Sequence, residues 1–191
     1  MKTLVLLYPG CIAFEVLLAC ELLNSKFPVE IVTLDGNDHV ASNGMIIKSS
    51  KALSGASPAD YKVALFPGGD PEAVIGNTQL NQFIQSLNSN QSILAAICAG
   101  PVILDQAGVL AHKKIAHGYK GTQLEWLIEK GFFKNVSMTD HLTVTEGNIV
   151  TARPEAFIDF AVQVAVLCGS IENAKVQFWK DYYKGSAGVK A

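Results

Sequence analysis

Ser92-Ile-Leu-Ala-Ala-Ile-Cys98-Ala-Gly-Pro101, followed by Val102-Ile-Leu-Asp-Gln-Ala-Gly108, is the stretch from which the fold is read. A short apolar run with a β-branched residue near each end predicts a buried strand, and Gly100-Pro101 then opens a helical pattern that closes at Gly108. Cys98 falls at the turn between them. A side chain on a sharp strand-to-helix turn is held out of the sheet, close to backbone N–H groups and to the positive end of the helix. Those surroundings predict a thiol with a depressed pKa. A fall of about two units from about 8.5 is worth roughly 2.7 kcal/mol and makes the thiolate the main form at neutral pH. An inert buried cysteine is the other reading, and spacing alone does not separate the two.

The same alternation runs outward from this elbow. Toward the N-terminus, Thr3–Leu7 reads as a strand that stops at Pro9-Gly10, Phe14–Leu23 as a helix, and Val29–Leu34 as a strand before the turn Asp35-Gly-Asn-Asp. Val40–Ser57 is mostly polar loop, with Met45–Ile47 a short strand of a hairpin. Tyr61–Phe66 is a buried strand ending at Pro67-Gly-Gly69, and Leu80–Leu87 has helical spacing. Toward the C-terminus, Lys113–Ala116 is a short strand candidate, Gln123–Lys130 an amphipathic helix capped by Gly131, and Asn135–Thr139, Leu142–Thr145 and Ile149–Thr151 short strands. Glu155–Leu167 is a long apolar helix, Ile171–Tyr183 a second, and Gly185–Ala191 a frayed end. Strands alternating with helices predict an α/β fold with a mostly parallel sheet covered on both faces.

Composition narrows the function classes. With 191 residues, 49% hydrophobic and 17% charged, the chain suits one domain spanning 1–191. Its net charge of −2 is built from interspersed signs, which argues against nucleic acid and anionic membranes as partners. Cysteines at 11, 20, 98 and 168 form neither a metal-ligand cluster nor a disulfide framework, so no metal and a reducing cytoplasm are expected. The N-terminal apolar run ending at Cys20 superficially resembles a lipoprotein signal. Pro9-Gly10 and Glu15 interrupt it, and it is read as mature protein.

In an open α/β sheet, ligands sit beyond the carboxyl ends of the strands, where the turns at Tyr8-Pro9-Gly10, Pro67-Gly-Gly69 and Cys98-Ala-Gly100 are expected to converge. Glu15, on the first turn of its helix, can hydrogen-bond Cys98 there, or can simply be a carboxylate favoured by the helix dipole. Gly68-Gly69 and Ala99 can offer N–H groups to a developing oxyanion, or the glycines can simply form a tight turn. Of the four histidines, His117 follows a short strand after the elbow and is the candidate partner for Cys98; His39 and His112 sit in polar turns.

Pro9-Gly10 with Glu15, Leu65-Phe-Pro-Gly-Gly69, Ala96-Ile-Cys-Ala-Gly-Pro101, His117 and Gly147-Asn-Ile-Val-Thr-Ala-Arg153 together resemble the ThiJ/PfpI (DJ-one) superfamily, from Leu4 to Leu167. The resemblance implies a flavodoxin-like three-layer sandwich of the class I glutamine amidotransferase type, usually a homodimer. It makes Cys98 the reactive centre, with Glu15 beside it, Gly69 and Ala99 as oxyanion-hole donors and His117 as the histidine partner, and it needs no cofactor. Protease-type members carry a histidine immediately after the cysteine, and Ala99 stands there instead. Glu72 resembles an acidic residue that those members give across a subunit contact. Glutaminases carry His-x-Glu, whereas His117 is followed by Gly118-Tyr119. The Cys-Ala-Gly-Pro form with glutamate is most similar to the branch acting on reactive dicarbonyls, as glyoxalase or deglycase. The alternatives are a redox or ligand sensor using an oxidisable Cys98, and isonitrile hydratase-like or peptidase-like hydrolysis.

Overall fold

The computed structural model of the protein describes residues 1–186 of the chain. A seven-stranded sheet runs through it, built from β1 (Lys2–Leu6), β2 (Val29–Thr33), β5 (Lys51–Ala52), β6 (Tyr61–Phe66), β7 (Ile93–Ile97), β10 (Thr143–Glu146) and β11 (Ile149–Ala152). Across the sheet the order is β10, β11, β7, β6, β1, β2, β5, and every pairing is parallel except β10 with β11. Two small ladders lie outside it: β3 (His39–Val40) with β4 (Ile46–Ile47), and β8 (Lys114–Ile115) with β9 (Ser137–Met138). The helices are α1 (Phe14–Asn24), α2 (Thr78–Ser89), α3 (Pro101–Gln106), α4 (Gly121–Glu129), α5 (Phe157–Leu167) and α6 (Val176–Tyr183).

β7 explains why a continuous apolar run was the right signal. All five of its residues are buried, because helices cover both faces of a parallel sheet and leave no polar side for alternation. The connection from β1 to β2 steps one way across the sheet, while β6 to β7 steps the other. Since such crossovers are right-handed, α1 and α2 lie on opposite faces. α5 returns to pack on α1, giving the three layers of a flavodoxin-like fold. The reversal of direction falls between β1 and β6, and the crevice at their carboxyl ends is where this topology places a ligand.

Several elements depart from expectation. β5 adds an edge strand inside the polar stretch 40–57, which the sequence gives no reason to expect. Lys113–Ala116 and Asn135–Thr139 contribute only the two-residue strands β8 and β9, which pair with each other rather than with the central sheet. The second C-terminal helix begins at Val176, because Ile171 turns inward against the core and a 3₁₀ turn at Asn173–Lys175 intervenes. His39 lies in β3 and pairs with Asp35 at 3.1 Å instead of standing in a solvated turn. The expected frayed end lies, from residue 187 on, outside the described residues. No helix among them is long and apolar enough to cross a membrane.

Ordinary local rules hold the layer opposite α1. Asn77 caps α2, its Oδ1 accepting the Leu80 N–H at 2.8 Å. Asn77→Ala is expected to cost about 1 kcal/mol and, for a chain of this size, to lower Tm by roughly 2–4 °C without touching the crevice. Thermal denaturation followed by circular dichroism checks it.

Candidate active site

The elbow is formed by Cys98 itself, which has φ of +62°. A non-glycine residue there costs on the order of 1–3 kcal/mol and must be held by its surroundings. Three backbone bonds hold it: Cys98 N–H donates to Ala152 O at 2.9 Å, Gly118 N–H donates to Cys98 O at 2.7 Å, and Gly100 N–H donates to Ile97 O at 2.8 Å. In a trans peptide the C=O and the following N–H point in opposite directions. Gly118, by fixing the Cys98 carbonyl, therefore aims the Ala99 N–H back toward the thiol.

The turn after β6 closes over the sulfur. Gly68 comes so near that a Cβ there would lie 2.6 Å from Cys98 Cβ, 2.8 Å from its Sγ and 2.8 Å from Glu15 Oε2. Gly69 has φ of +110° and bridges to Cys11 in the turn after β1. The three turns therefore meet. Glu15 is 1% exposed, on the first turn of α1, and its Oε2 accepts the Gly68 N–H at 2.8 Å. Its carboxyl faces the Cys98 thiol across Gly68. The N–H groups of Ala99 and Gly69 both reach the sulfur.

Electrostatics correct the expectation of a depressed thiol pKa. Burial, then the Glu15 charge and the hydrogen bond to it, push Cys98 up to about 12; the Ala99 and Gly69 N–H groups pull it back only in part. Burial also raises Glu15 above the ordinary carboxylate value, against the Gly68 N–H and the Cys98 hydrogen bond that lower it. Two anions cannot share this enclosure, so the pair keeps a proton between them. Burial of the elbow beneath the Gly68 turn, with Glu15 facing it, outweighs the N–H groups that were expected to lower the thiol.

His117 stands on the same wall, one residue before Gly118. Its Nδ1 is buried, and no hydrogen bond joins it to Cys98 among the described residues. Its ring stacks on Tyr119 with centroids 6.2 Å apart, and burial, then Arg153, hold the imidazole below its ordinary pKa and hence neutral. Tyr119 is buried and donates to Ala99 O at 2.6 Å. Glu72 is exposed on the 3₁₀ turn Pro71–Ala73, and with Asp70, Ile75, Tyr119 and Trp126 it lines a cleft of about 460 Å³.

Sequence reasoning missed Tyr8, Gly118 and Tyr119. Tyr8 stands at the carboxyl end of β1, and a hydroxyl closing an otherwise aliphatic run was the available signal. Among the described residues no group of three or more His, Cys, Asp or Glu is placed to hold a metal ion.

The model of the DJ-1/PfpI family matches residues 1–166, which takes in every site residue just described. The chain belongs to that family. Drosophila melanogaster dj-1beta is 27% identical over 170 residues, covering 86% of this chain and 87% of its own length. In its crystal structure it superposes with a TM-score of 0.78 at 26% identity, over 96% of this chain and 98% of the other. A protein named as a deglycase, from Pyrococcus horikoshii, is 28% identical over 129 residues, covering 67% of this chain and 74% of its own length. As a DJ-1/PfpI protein the chain has relatives named both as deglycases and, in Bacillus subtilis, as a putative cysteine protease.

Proposed function

We propose that this DJ-1/PfpI protein is a cofactor-independent enzyme in which Cys98 adds to the carbonyl of a small reactive dicarbonyl with Glu15 as its base. The observation that carries the reading is the enclosed Cys98–Glu15 pair under the Gly68 turn, with two N–H groups at the sulfur. A thiol held protonated next to a carboxylate of raised pKa is arranged for general-base activation, not for standing as a free thiolate. The thiol proton passes to Glu15 as sulfur bonds to the aldehyde carbon of an α-oxoaldehyde. The carbonyl electron pair moves to an oxyanion that Gly69 and Ala99 N–H groups hold, and reprotonation gives a hemithioacetal. Moving the C1 proton to C2 through an enediol yields a 2-hydroxy thioester. Water then hydrolyses it and restores the thiol. The sum is addition of one water with no external oxidant. His117, neutral and on the same wall, is the group assigned to the later proton transfers.

Cys98→Ser is expected to lower turnover of methylglyoxal to the 2-hydroxy acid by about a thousandfold or more, read by proton NMR. A folded wild type whose Cys98 is alkylated but which turns over no dicarbonyl would sink the reading. The sensor alternative has a weaker basis, since it is the thiolate that attacks peroxide and burial beside Glu15 pushes this thiol up. A homodimer fits the same reading: Phe14, Leu17, Met45 and Ile46 are exposed on α1 and around β4, and the last three line an apolar groove.

A further inference from the structure

We propose that Tyr8 is a positioning residue that aims the N–H groups of the Pro67–Gly69 turn at Glu15 and Cys98; this rests on the reading of Cys98 as the reacting group. Tyr8 is 1% exposed and its hydroxyl touches two successive carbonyls, Pro67 O at 2.9 Å and Gly68 O at 2.8 Å. Each carbonyl belongs to a peptide unit whose N–H points the opposite way. The Pro67 carbonyl on Tyr8 therefore sets the Gly68 N–H toward Glu15, where it is seen at 2.8 Å. The Gly68 carbonyl on Tyr8, shared with Ile12 N–H at 2.9 Å, sets the Gly69 N–H toward the sulfur. One hydroxyl thus orients a two-amide nest around the place where negative charge is held and formed.

The turn needs such a lock because of its own composition. Gly68 must lack a side chain to leave room for the sulfur, and Gly69 must adopt a positive φ. Two consecutive glycines have little resistance to peptide rotation, so the lining that makes the site possible also leaves its donors free to turn away. Rotation of the Gly68–Gly69 unit would present a carbonyl oxygen, not an N–H, to the developing oxyanion. Ala99 N–H, the other donor, is held separately by Gly118 through the Cys98 carbonyl. The two halves of the oxyanion site therefore have independent supports, and only one depends on Tyr8.

The test is the pH dependence of Cys98 alkylation by iodoacetamide in wild type, Tyr8→Phe and Tyr61→Phe, with methylglyoxal kinetics alongside. The titratable groups around Tyr8 are Cys11, Glu15, Cys98 and Tyr119, and all are retained in the three proteins. Tyr8→Phe is expected to move the alkylation profile to higher pH, to slow alkylation at pH 8 roughly tenfold and to lower kcat by at least about the same factor, with KM changed less than about twofold. Tyr61→Phe removes another buried hydroxyl, bonded to Glu30 and remote from the crevice, and is expected to track the wild type in both rates. A folded Tyr8→Phe with the wild-type alkylation profile would overturn the proposal. If Tyr8→Phe does not fold, the wild type decides: the Gly69 amide resonance is expected to shift with Cys98 ionisation, and an unmoved resonance would refute the lock. If the wild type turns over no dicarbonyl, the enzymatic reading fails while the alkylation profile still judges Tyr8.

Discussion

Gly68→Ala is expected to lower turnover by about a hundredfold or more, a larger loss than its effect on stability alone would bring. The added Cβ would fall 2.6 Å from Cys98 Cβ and 2.8 Å from both Sγ and Glu15 Oε2. None of these neighbours is the free end of a flexible chain. Cys98 is fixed by its strained elbow, and Glu15 by α1 and by the Gly68 N–H itself. The turn must therefore retreat, and in retreating it gives up the bond to Glu15 and the alignment of Gly69. Overpacking of this kind costs about 1–3 kcal/mol, or a fall in Tm of roughly 2–12 °C at this size. Gly55→Ala is the comparison, since Gly55, like Gly68, has no positive φ but has open space around its Cβ position. It adds the same methyl group without the collision. Steady-state kinetics and melting of both variants separate the two, and a Gly68→Ala protein with wild-type turnover would mean the turn is not part of the site.

The difference between what could be read from the sequence and what could not follows from the range of the forces involved. β1, β6 and β7 were legible because each is a continuous apolar run closed by glycine or proline, and that pattern is local. β5 was not, since two residues, Lys51 and Ala52, pairing at a sheet edge leave no periodicity. The convergence of the Gly10, Gly69 and Cys98 turns was legible from topology, because strand ends in a parallel sheet share one side. The state of the thiol was not. It depends on how close Glu15, on the first helix, comes to a cysteine at the end of β7, and on how little water reaches them. Spacing along the chain carries neither quantity. The role given to Tyr8 was hidden for the same reason: its partners are Pro67 and Gly68, brought to it only when β1 and β6 pair.

Glu15→Gln is expected to drive two rates in opposite directions. The variant keeps an oxygen for the Gly68 N–H but has no basic carboxylate, so methylglyoxal turnover falls by about a hundredfold or more. It also has no negative charge beside the sulfur. The Glu15 charge and hydrogen bond are, after burial, what pushes the Cys98 thiol up to about 12, so without them the thiol ionises at lower pH and iodoacetamide alkylation at pH 8–9 becomes faster. The sign for stability follows from the same carboxyl. Its folded pKa is raised above the ordinary 4.5, so its contribution is fully present below that pH and is lost as the pH rises through the folded value. Glutamine has no such loss. The Tm advantage of Glu15→Gln over the wild type is therefore expected to grow between pH 4 and pH 8. Melting curves across that range and alkylation by mass spectrometry read both effects. Slower alkylation in Glu15→Gln would show instead that the wild-type carboxyl is the proton donor to a standing thiolate. The general-base assignment would then give way to one in which Glu15 holds the proton before substrate arrives.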